Sequence, residues 1–145
     1  MIKIISIISV FIFVSIFFSR GYAEFKLYTP DYIVDTKYNN IEIRYYDRFN
    51  VITTIETETY KKATYSGFRT LASYIFGNNK SNIKIPMTVP VITSLPKNKN
   101  IEISFILNSK YNISKMPEPN TDKIEFKEVS LGKVATISFG FWATP

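Results

Sequence analysis

Hydrophobic and polar residues alternate along several short segments of the chain, which is the pattern of β-strands. Residues 41–45 alternate with a period of two, and residues 50–57 are dominated by Val, Ile and Thr, which pack well on a pleated surface. Turn-forming residues at 47–50 lie where the two segments meet. The pattern therefore predicts strands from Tyr32 onward and a β-hairpin formed by these two segments.

The spacing of apolar residues then changes to the period of an α-helix. Four of them recur at i, i+3, i+4 and i+7 and so share one face: Phe68, Leu71, Ala72 and Ile75. The helix is expected to begin near Glu58, with Thr57 as the N-cap because its hydroxyl can accept a hydrogen bond from an unpaired amide. Gly77 and Asn78 are expected to end it, since glycine adopts the left-handed conformation that follows many helices.

Four more strands are predicted after the helix, at residues 89–94, 101–107, 123–129 and 133–140. Turns at 97–100 and 130–132 separate the members of each pair. Pro86 and Pro90 flank the start of the first of these strands, and proline cannot donate a hydrogen bond to a neighbouring strand. We therefore expect this strand at the edge of a sheet or at a bulge.

The pair of strands near the start of the chain is repeated near its end. The run IEIR at 41–44 aligns with IEFK at 124–127. At the same offset Val51 aligns with Val134, and Thr53 aligns with Thr136. A repeated hairpin predicts a second helix, and Thr144 followed by Pro145 is typical of a helix N-cap and first position. The alternative is a chance match, because strand patterns carry little information.

The N-terminal segment is almost entirely apolar, with three serines in the apolar run. A positive start at residues 1–3 precedes an apolar run at 4–18, and Gly21 and Ala23 place small residues where a signal peptidase cleaves. We interpret residues 1–23 as a signal peptide and residues 24–145 as one domain. The chain is then exported, to the periplasm in a Gram-negative bacterium and otherwise out of the cell. The alternative is an uncleaved membrane anchor, since about 18 apolar residues begin to span a bilayer.

Charge narrows the classes of partner. The 145 residues include 18 basic and 12 acidic ones, a formal charge of +6. Removal of Lys3 and Arg20 with the signal peptide leaves 16 basic residues against the same 12 acidic ones, or +4. Lysines alternate with acidic residues in segments such as KIEFKE at 123–128, so nucleic acid is not an expected partner. A modest positive field suits an anionic small ligand or an anionic membrane surface.

The chain contains neither cysteine nor histidine. This composition excludes disulfides, nucleophiles that depend on a Cys-His or Ser-His pair, and ordinary zinc sites. Carboxylates such as Glu56 and Glu58 are two residues apart, a spacing that separates them on a helix. We therefore predict no catalytic residues and no enzyme activity.

Five separated features of the sequence resemble the SOUL heme-binding family across nearly the whole of residues 24–145. They are EIRYY at 42–46, FRTLASYIFGNN at 68–79, IPMTVPV at 85–91, PEP at 117–119 with Asp122, and FGFW at 139–142. The resemblance implies an α+β fold, in which a twisted antiparallel sheet forms a distorted barrel flanked by two helices and built from two related halves. It also implies that the second helix and the last strands are missing here, which would leave strand edges unpaired. Continuation of the gene in another frame, or self-association of two chains through the open face, would cover them.

The same resemblance implies that heme or another tetrapyrrole binds on an apolar surface near the first helix, with basic residues near the propionates. The absence of histidine excludes histidine ligation of the iron, which leaves a tyrosine or methionine ligand, or an apolar slot without protein ligation. The metal ligand therefore stays unassigned. Five residues are candidates for ligand binding: Lys61, Tyr65, Phe68, Arg69 and Met87.

Three of these candidates recur at i, i+4 and i+8, which aligns Lys61, Tyr65 and Arg69 along one edge of the helix. A planar ligand with carboxylates would contact all three. The alternative is a solvated polar helix face and, for Met87, a methionine that fills a gap in the core. The first functional hypothesis is thus a non-catalytic module that carries or sequesters heme or a related tetrapyrrole. The second is a protein- or membrane-interaction module of the same fold without a cofactor.

The exported form is predicted to begin at Glu24, because Gly21 and Ala23 are the small pair that directly follows the apolar run. Mass spectrometry of the protein recovered after export measures this N-terminus. Recovery of residues 1–18 in a membrane fraction would instead show an uncleaved anchor.

Overall fold

Seven strands and one α-helix make up the part of the chain that the computed structural model describes, residues 28–94 and 100–138. In chain order they are β1 (Tyr32–Tyr38), β2 (Ile41–Tyr46), β3 (Phe49–Glu56), α1 (Tyr60–Ile75), β4 (Val91–Thr93), β5 (Ile101–Ile106), β6 (Glu125–Val129) and β7 (Gly132–Ile137), with a 3-10 helix at Ile113–Lys115. The predicted signal peptide, most of the turn at 97–100, the run FGFW and the start of the predicted second helix lie outside the described residues. Within 28–94 and 100–138, no helix has both the length and the apolarity needed to cross a bilayer.

The strands form two antiparallel sheets, which are not closed into a barrel within the described residues. Sheet A has the order β1-β2-β7, and sheet B has the order β4-β5-β3-β6. Helix α1 contacts β3 and β5 and therefore covers sheet B. The predicted α+β class is confirmed, and β4, which follows Pro86 and Pro90, lies at a sheet edge as expected.

The two predicted hairpins are wrong, because strands that are adjacent in sequence belong to different sheets. β2 lies in sheet A and β3 in sheet B, and β7 and β6 divide in the same way. Each pair is an arch whose strands lie in separate sheets, and the two arches pair with each other, β2 with β7 and β3 with β6. The reason is that β3 has β5 along one edge and β6 along the other, which leaves no edge for β2.

The pairing of the two arches follows the offset found in the sequence. Arg44 pairs with Val134 in sheet A, and Val51 pairs with Lys127 in sheet B. Lys127 follows Arg44 by 83 positions, and Val134 follows Val51 by the same 83 positions. This offset converts every pair of the β3–β6 ladder into a pair of the β2–β7 ladder. The repeat is therefore a pseudo-twofold relation between the two arches.

Helix α1 approaches sheet B through its smallest side chains. Ala63 and Gly67 are buried, and a Cβ atom on Gly67 would lie 2.6 Å from Cδ1 of Ile103. Glycine is needed at this position because the backbone of the helix lies directly on a β5 side chain. This contact fixes which side of α1 faces the sheet and which side faces solvent.

The buried face of α1 is broader than the sequence predicts. Leu71, Ala72 and Ile75 are buried as expected, whereas Phe68 lies at the margin of the interface and is 38% exposed. Tyr74, which the apolar spacing does not include, is only 1% exposed. Its hydroxyl donates a hydrogen bond of 2.7 Å to the carbonyl oxygen of Pro117, which satisfies the polar end of a buried ring.

The outer face of sheet A has no helix on it within the described residues. Ile41 and Tyr45 of β2 and Ile137 of β7 are exposed there. At the 83-residue offset, Ile41 and Ile137 correspond to Ile124 and Thr54, which are buried on the helix-covered side of sheet B. The two halves thus share a backbone register but differ in what covers them.

Two adjacent threonines of β3 differ in how their buried hydroxyls are satisfied. Thr53 Oγ1 donates to the carbonyl oxygen of Ile103 at 3.1 Å and accepts from Ser104 Oγ at 2.9 Å. Thr54 Oγ1 is buried without a hydrogen-bond partner among the described residues. A buried polar group without a partner reduces stability, whereas a satisfied one contributes to it.

Thr54→Val is therefore expected to raise the free energy of unfolding by about 1 kcal/mol, since it removes an unsatisfied hydroxyl at nearly constant shape. Thr53→Val is the matched comparison and is expected to lower the free energy of unfolding by about 1–3 kcal/mol, because Ser104 loses its acceptor. Urea denaturation of the two variants measures both effects. Changes of the same sign in both variants would contradict the assignment of the two hydroxyls.

Candidate functional site

Helix α1, which carries four of the five candidate residues, begins later than predicted. Thr59 is the N-cap, and its side chain makes no capping hydrogen bond within the described residues. The assignment of Thr57 as N-cap is wrong, because β3 continues to Glu56 and residues 57–59 are needed to turn the chain from the sheet into the helix. The predicted end is confirmed, since Gly77 has a φ of 110°, a conformation that side chains disfavour.

Three exposed side chains form an α1 stripe, which we define as Lys61, Tyr65 and Arg69. All three lie on the solvent side of the helix, and the Tyr65 ring is 67% exposed. The guanidinium carbon of Arg69 lies 5.8 Å from the centre of the Tyr65 ring, which is within the range of a cation–π contact. The helix separates Lys61 from Arg69 by about 12 Å along its axis. The stripe therefore presents an aromatic ring between two cations.

Phe68 joins the α1 stripe to the core of the protein. Its ring contacts that of Phe105 in β5, with centroids 5.2 Å apart and planes at 62°. Phe105 pairs with Val91 of the edge strand β4, and both side chains pack in the main hydrophobic cluster. The exposed part of Phe68 therefore continues the apolar core to the surface beside Tyr65.

Met87 lies in the loop that leads to β4. The next residue, Thr88, is buried, and its hydroxyl donates to the carbonyl oxygen of Ile106. The amide of Val89 donates to the carbonyl oxygen of Tyr28 at 3.1 Å. The first bond holds the loop against the end of β5, next to the residue that Phe68 covers, and the second ties it to Tyr28. Met87 is 38% exposed, so its side chain is not fully enclosed in the core.

The loop after α1 supplies exposed residues that the five candidates omit. Phe76 and Ile83 are 63% and 53% exposed, and Lys84 is exposed beside them. Lys84 Cγ would lie 3.8 Å from a Cβ atom on Gly77, which places this side chain against the end of the helix. The available sequence signal was an apolar residue on each side of a Gly-Asn-Asn turn, because such turns lie at the surface.

Potential iron ligands are few around α1. No group of three or more acidic side chains able to hold a metal ion occurs in residues 28–94 and 100–138, and the whole chain lacks His and Cys. Burial raises the pKa of Tyr74 to about 12, and its hydroxyl is already bonded to Pro117. A tyrosine ligand from the helix would therefore come from exposed Tyr60 or Tyr65.

Arg44 of β2 is a cation whose guanidinium group is held by neighbouring side chains. Arg44 donates hydrogen bonds of 2.9 and 2.8 Å to Glu42 Oε2 and one of 3.1 Å to the Tyr46 hydroxyl. Its guanidinium carbon also lies 4.2 Å from the centre of the Tyr32 ring. The hydrogen bond from Arg44 lowers the pKa of the Glu42 carboxyl. Because these contacts occupy Arg44, we assign it to the β1–β2 pairing and not to ligand binding.

The architecture and its surface together define an α+β protein with a two-arch core and an exposed aromatic and basic helix. A protein-family model described as SOUL heme-binding protein matches residues 27–145. The chain therefore belongs to the SOUL heme-binding protein family, which confirms the resemblance found in its sequence. No individual curated protein matches the chain.

Tyr74 provides a pH-dependent prediction. Its pKa of about 12 in the folded protein lies above the value of about 10 for tyrosine in an unfolded chain. The stability that depends on the protonated phenol is complete below about pH 10 and is lost as the pH rises toward about 12. We expect the free energy of unfolding to fall less steeply over this range in Tyr74→Phe than in the wild type. Urea denaturation at several alkaline pH values gives the two slopes, and equal slopes would contradict the assignment.

Proposed function

We propose that this SOUL family member binds heme or a related tetrapyrrole on the solvent side of α1, without histidine ligation and without catalysing a reaction. The observation that carries the proposal is the continuity of the α1 stripe with Phe68. An aromatic, partly apolar surface rises from the core between two cations, Lys61 and Arg69. That arrangement suits a ligand with a flat apolar body and carboxylates at its margin.

The residues present fit the macrocycle better than they fit the iron. Tyr65 and Phe68 offer ring surfaces for stacking, and Arg69 offers a planar donor group suited to a carboxylate. A bound heme would supply the redox and ligand-binding chemistry of its iron. Tyr65 on this surface and Met87 in the loop before β4 are the candidates that carry an oxygen or sulfur donor, and an apolar slot without protein ligation stays the alternative.

The role that we infer is carriage or sequestration of the tetrapyrrole outside the cytoplasm. Support for export comes from the sequence of residues 1–23, with its positive start, apolar run and small-residue exit. Support for a non-catalytic role comes from the lack of His and Cys in the chain, which removes the commonest general bases and nucleophile partners. The compartment would be the periplasm in a Gram-negative bacterium.

Titration with hemin tests the proposal directly. A Soret band that shifts and saturates at a stoichiometric ratio is expected. Parallel titration with metal-free protoporphyrin IX separates the two modes of binding, because similar affinities indicate binding through the macrocycle and much tighter hemin binding indicates an iron ligand. If neither compound binds, the proposal fails and the interaction module without a cofactor becomes the favoured function.

Two variants of the α1 stripe locate the site. Arg69→Ala and Tyr65→Ala are each expected to weaken hemin binding several-fold, since a surface contact of this kind contributes about 1 kcal/mol. Lys110→Ala and Tyr38→Ala are the matched controls, because both residues are exposed and lie outside α1. Circular dichroism confirms that each variant is folded. Unchanged affinity in both stripe variants would show that the stripe is an ordinary solvated face.

A further inference from the structure

In one segment of this chain the basic residues are not balanced by acidic ones. Residues 59–101 contain seven basic residues and no acidic residue. The seven are Lys61, Lys62, Arg69, Lys80, Lys84, Lys97 and Lys99. Since the whole chain has 18 basic and 12 acidic residues, the other residues hold 11 basic against all 12 acidic ones. The net positive charge of the chain therefore comes from residues 59–101, a segment that includes α1.

The fold places the basic residues of α1 on one side of the helix. At 100° per residue, the side chains at positions 61, 62, 65, 68 and 69 lie within an arc of about 120°. Ala63, Gly67 and Leu71 occupy the opposite side and are buried against sheet B. The first three cations therefore emerge on the same side as Tyr65 and Phe68.

The loop that follows the helix is held in a fixed shape by Asn79. This residue is 1% exposed. Its Nδ2 donates to the carbonyl oxygens of Tyr74 at 3.1 Å and Ile83 at 2.7 Å, and its Oδ1 accepts from the amides of Ser81 at 3.2 Å and Ile83 at 3.1 Å. The amide of Ile85 also donates to the carbonyl oxygen of Ile75 at 2.8 Å. The loop is thus tied back to the end of α1.

This fixed loop holds apolar side chains in water. Phe76 and Ile83 are both more than half exposed, and Lys84, which follows Ile83, lies against Gly77 at the end of the helix. Their exposure does not arise from a lack of local structure, because Asn79 fixes the backbone on both sides of Ile83. We define the basic face as Lys61, Tyr65, Phe68 and Arg69 of α1 together with Phe76, Ile83 and Lys84 of the loop.

Acidic residues do little to neutralise the basic face. Lys80, which lies next to it, pairs with Glu118. Lys61, Arg69 and Lys84 form no ion pair with any residue in 28–94 or 100–138. The face thus combines cations that are not paired with carboxylates and exposed aromatic and aliphatic side chains. This combination binds the surface of an anionic bilayer.

We infer that the basic face docks on an anionic phospholipid membrane, with Phe76 and Ile83 inserted at the headgroup level and Lys61, Arg69 and Lys84 against lipid phosphates. Charge complementarity selects this partner over a neutral apolar one. The inference does not depend on tetrapyrrole binding, although both would use the same side of α1. A ligand on the α1 stripe and a membrane on the basic face therefore compete for Tyr65 and Arg69.

Vesicle co-sedimentation without hemin tests the inference. The protein is used as recovered after export, with its N-terminus checked by mass spectrometry, since an attached apolar run at 4–18 would itself bind lipid. Binding is expected to vesicles of phosphatidylglycerol mixed with phosphatidylcholine, and not to vesicles of phosphatidylcholine alone. Salt at about 1 M, where the Debye length is roughly 3 Å, is expected to abolish most of the binding.

Variants with equal changes of net charge separate the face from general attraction. Each cation at an anionic surface strengthens binding by roughly five-fold, so Lys61→Glu combined with Arg69→Glu is expected to weaken it by about 25-fold or more. Lys110→Glu combined with Lys123→Glu is the control, because these two exposed lysines lie outside the 59–101 segment. Ile83→Ser tests insertion and is expected to weaken binding without changing its salt dependence.

Three results would overturn the inference. They are equal binding to neutral and anionic vesicles, equal weakening by the two double variants, and no vesicle binding by a folded wild-type protein. In the last case a protein partner or the tetrapyrrole alone would account for the exposed residues. If the protein binds hemin but does not bind vesicles, the proposed function stands and membrane docking is rejected.

Discussion

Strand β3 pairs along both edges and is buried on both faces, and the positions of the other elements depend on this double pairing. β5 occupies one edge and β6 the other, while α1 covers one face. β2 is consequently displaced into a separate sheet, where it pairs with β7. Val51, Ile52, Thr53 and Thr54 are consequently buried in succession instead of alternating between core and solvent.

The close contact between Gly67 and Ile103 transmits this constraint to the candidate site. Because the helix backbone lies directly on β5, α1 cannot rotate to bury Lys61, Tyr65 or Arg69. The same contact places Phe68 at the margin, where its ring covers Phe105. The chemistry on the solvent side of the helix is therefore set by the packing on its other side.

Local patterns in the sequence predicted most of the elements but not how the strands pair. The period of two and the apolar spacing of Leu71, Ala72 and Ile75 reflect the local environment of each residue, so they identified strands and a helix. Strand pairing depends on contacts between distant segments, which is why adjacent strands were wrongly joined into hairpins. The 83-residue repeat contained the missing information, because a duplicated arch can pair with its own copy.

The candidate site was also predictable only in part. The i, i+4 spacing placed Lys61, Tyr65 and Arg69 together because helix geometry is regular. Phe76 and Ile83 were missed because their exposure depends on the four hydrogen bonds of the Asn79 side chain. In the sequence, the run Gly-Asn-Asn indicates only that a turn is present. Thr57 was chosen as a cap by residue type alone, whereas the end of β3 determined where the helix starts.

The shared register of the two ladders has a consequence for the origin of the chain. A shorter polypeptide with a single arch could pair with a second copy of itself about a twofold axis, in the register that β2–β7 and β3–β6 now show. Fusion of two such copies would turn a homodimer interface into the core of one chain. Later divergence could then change the side chains, and their cover, on the equivalent face of one copy without disturbing the backbone pairing. The equivalent residues Ile124, which is buried, and Ile41, which is exposed, illustrate such a difference.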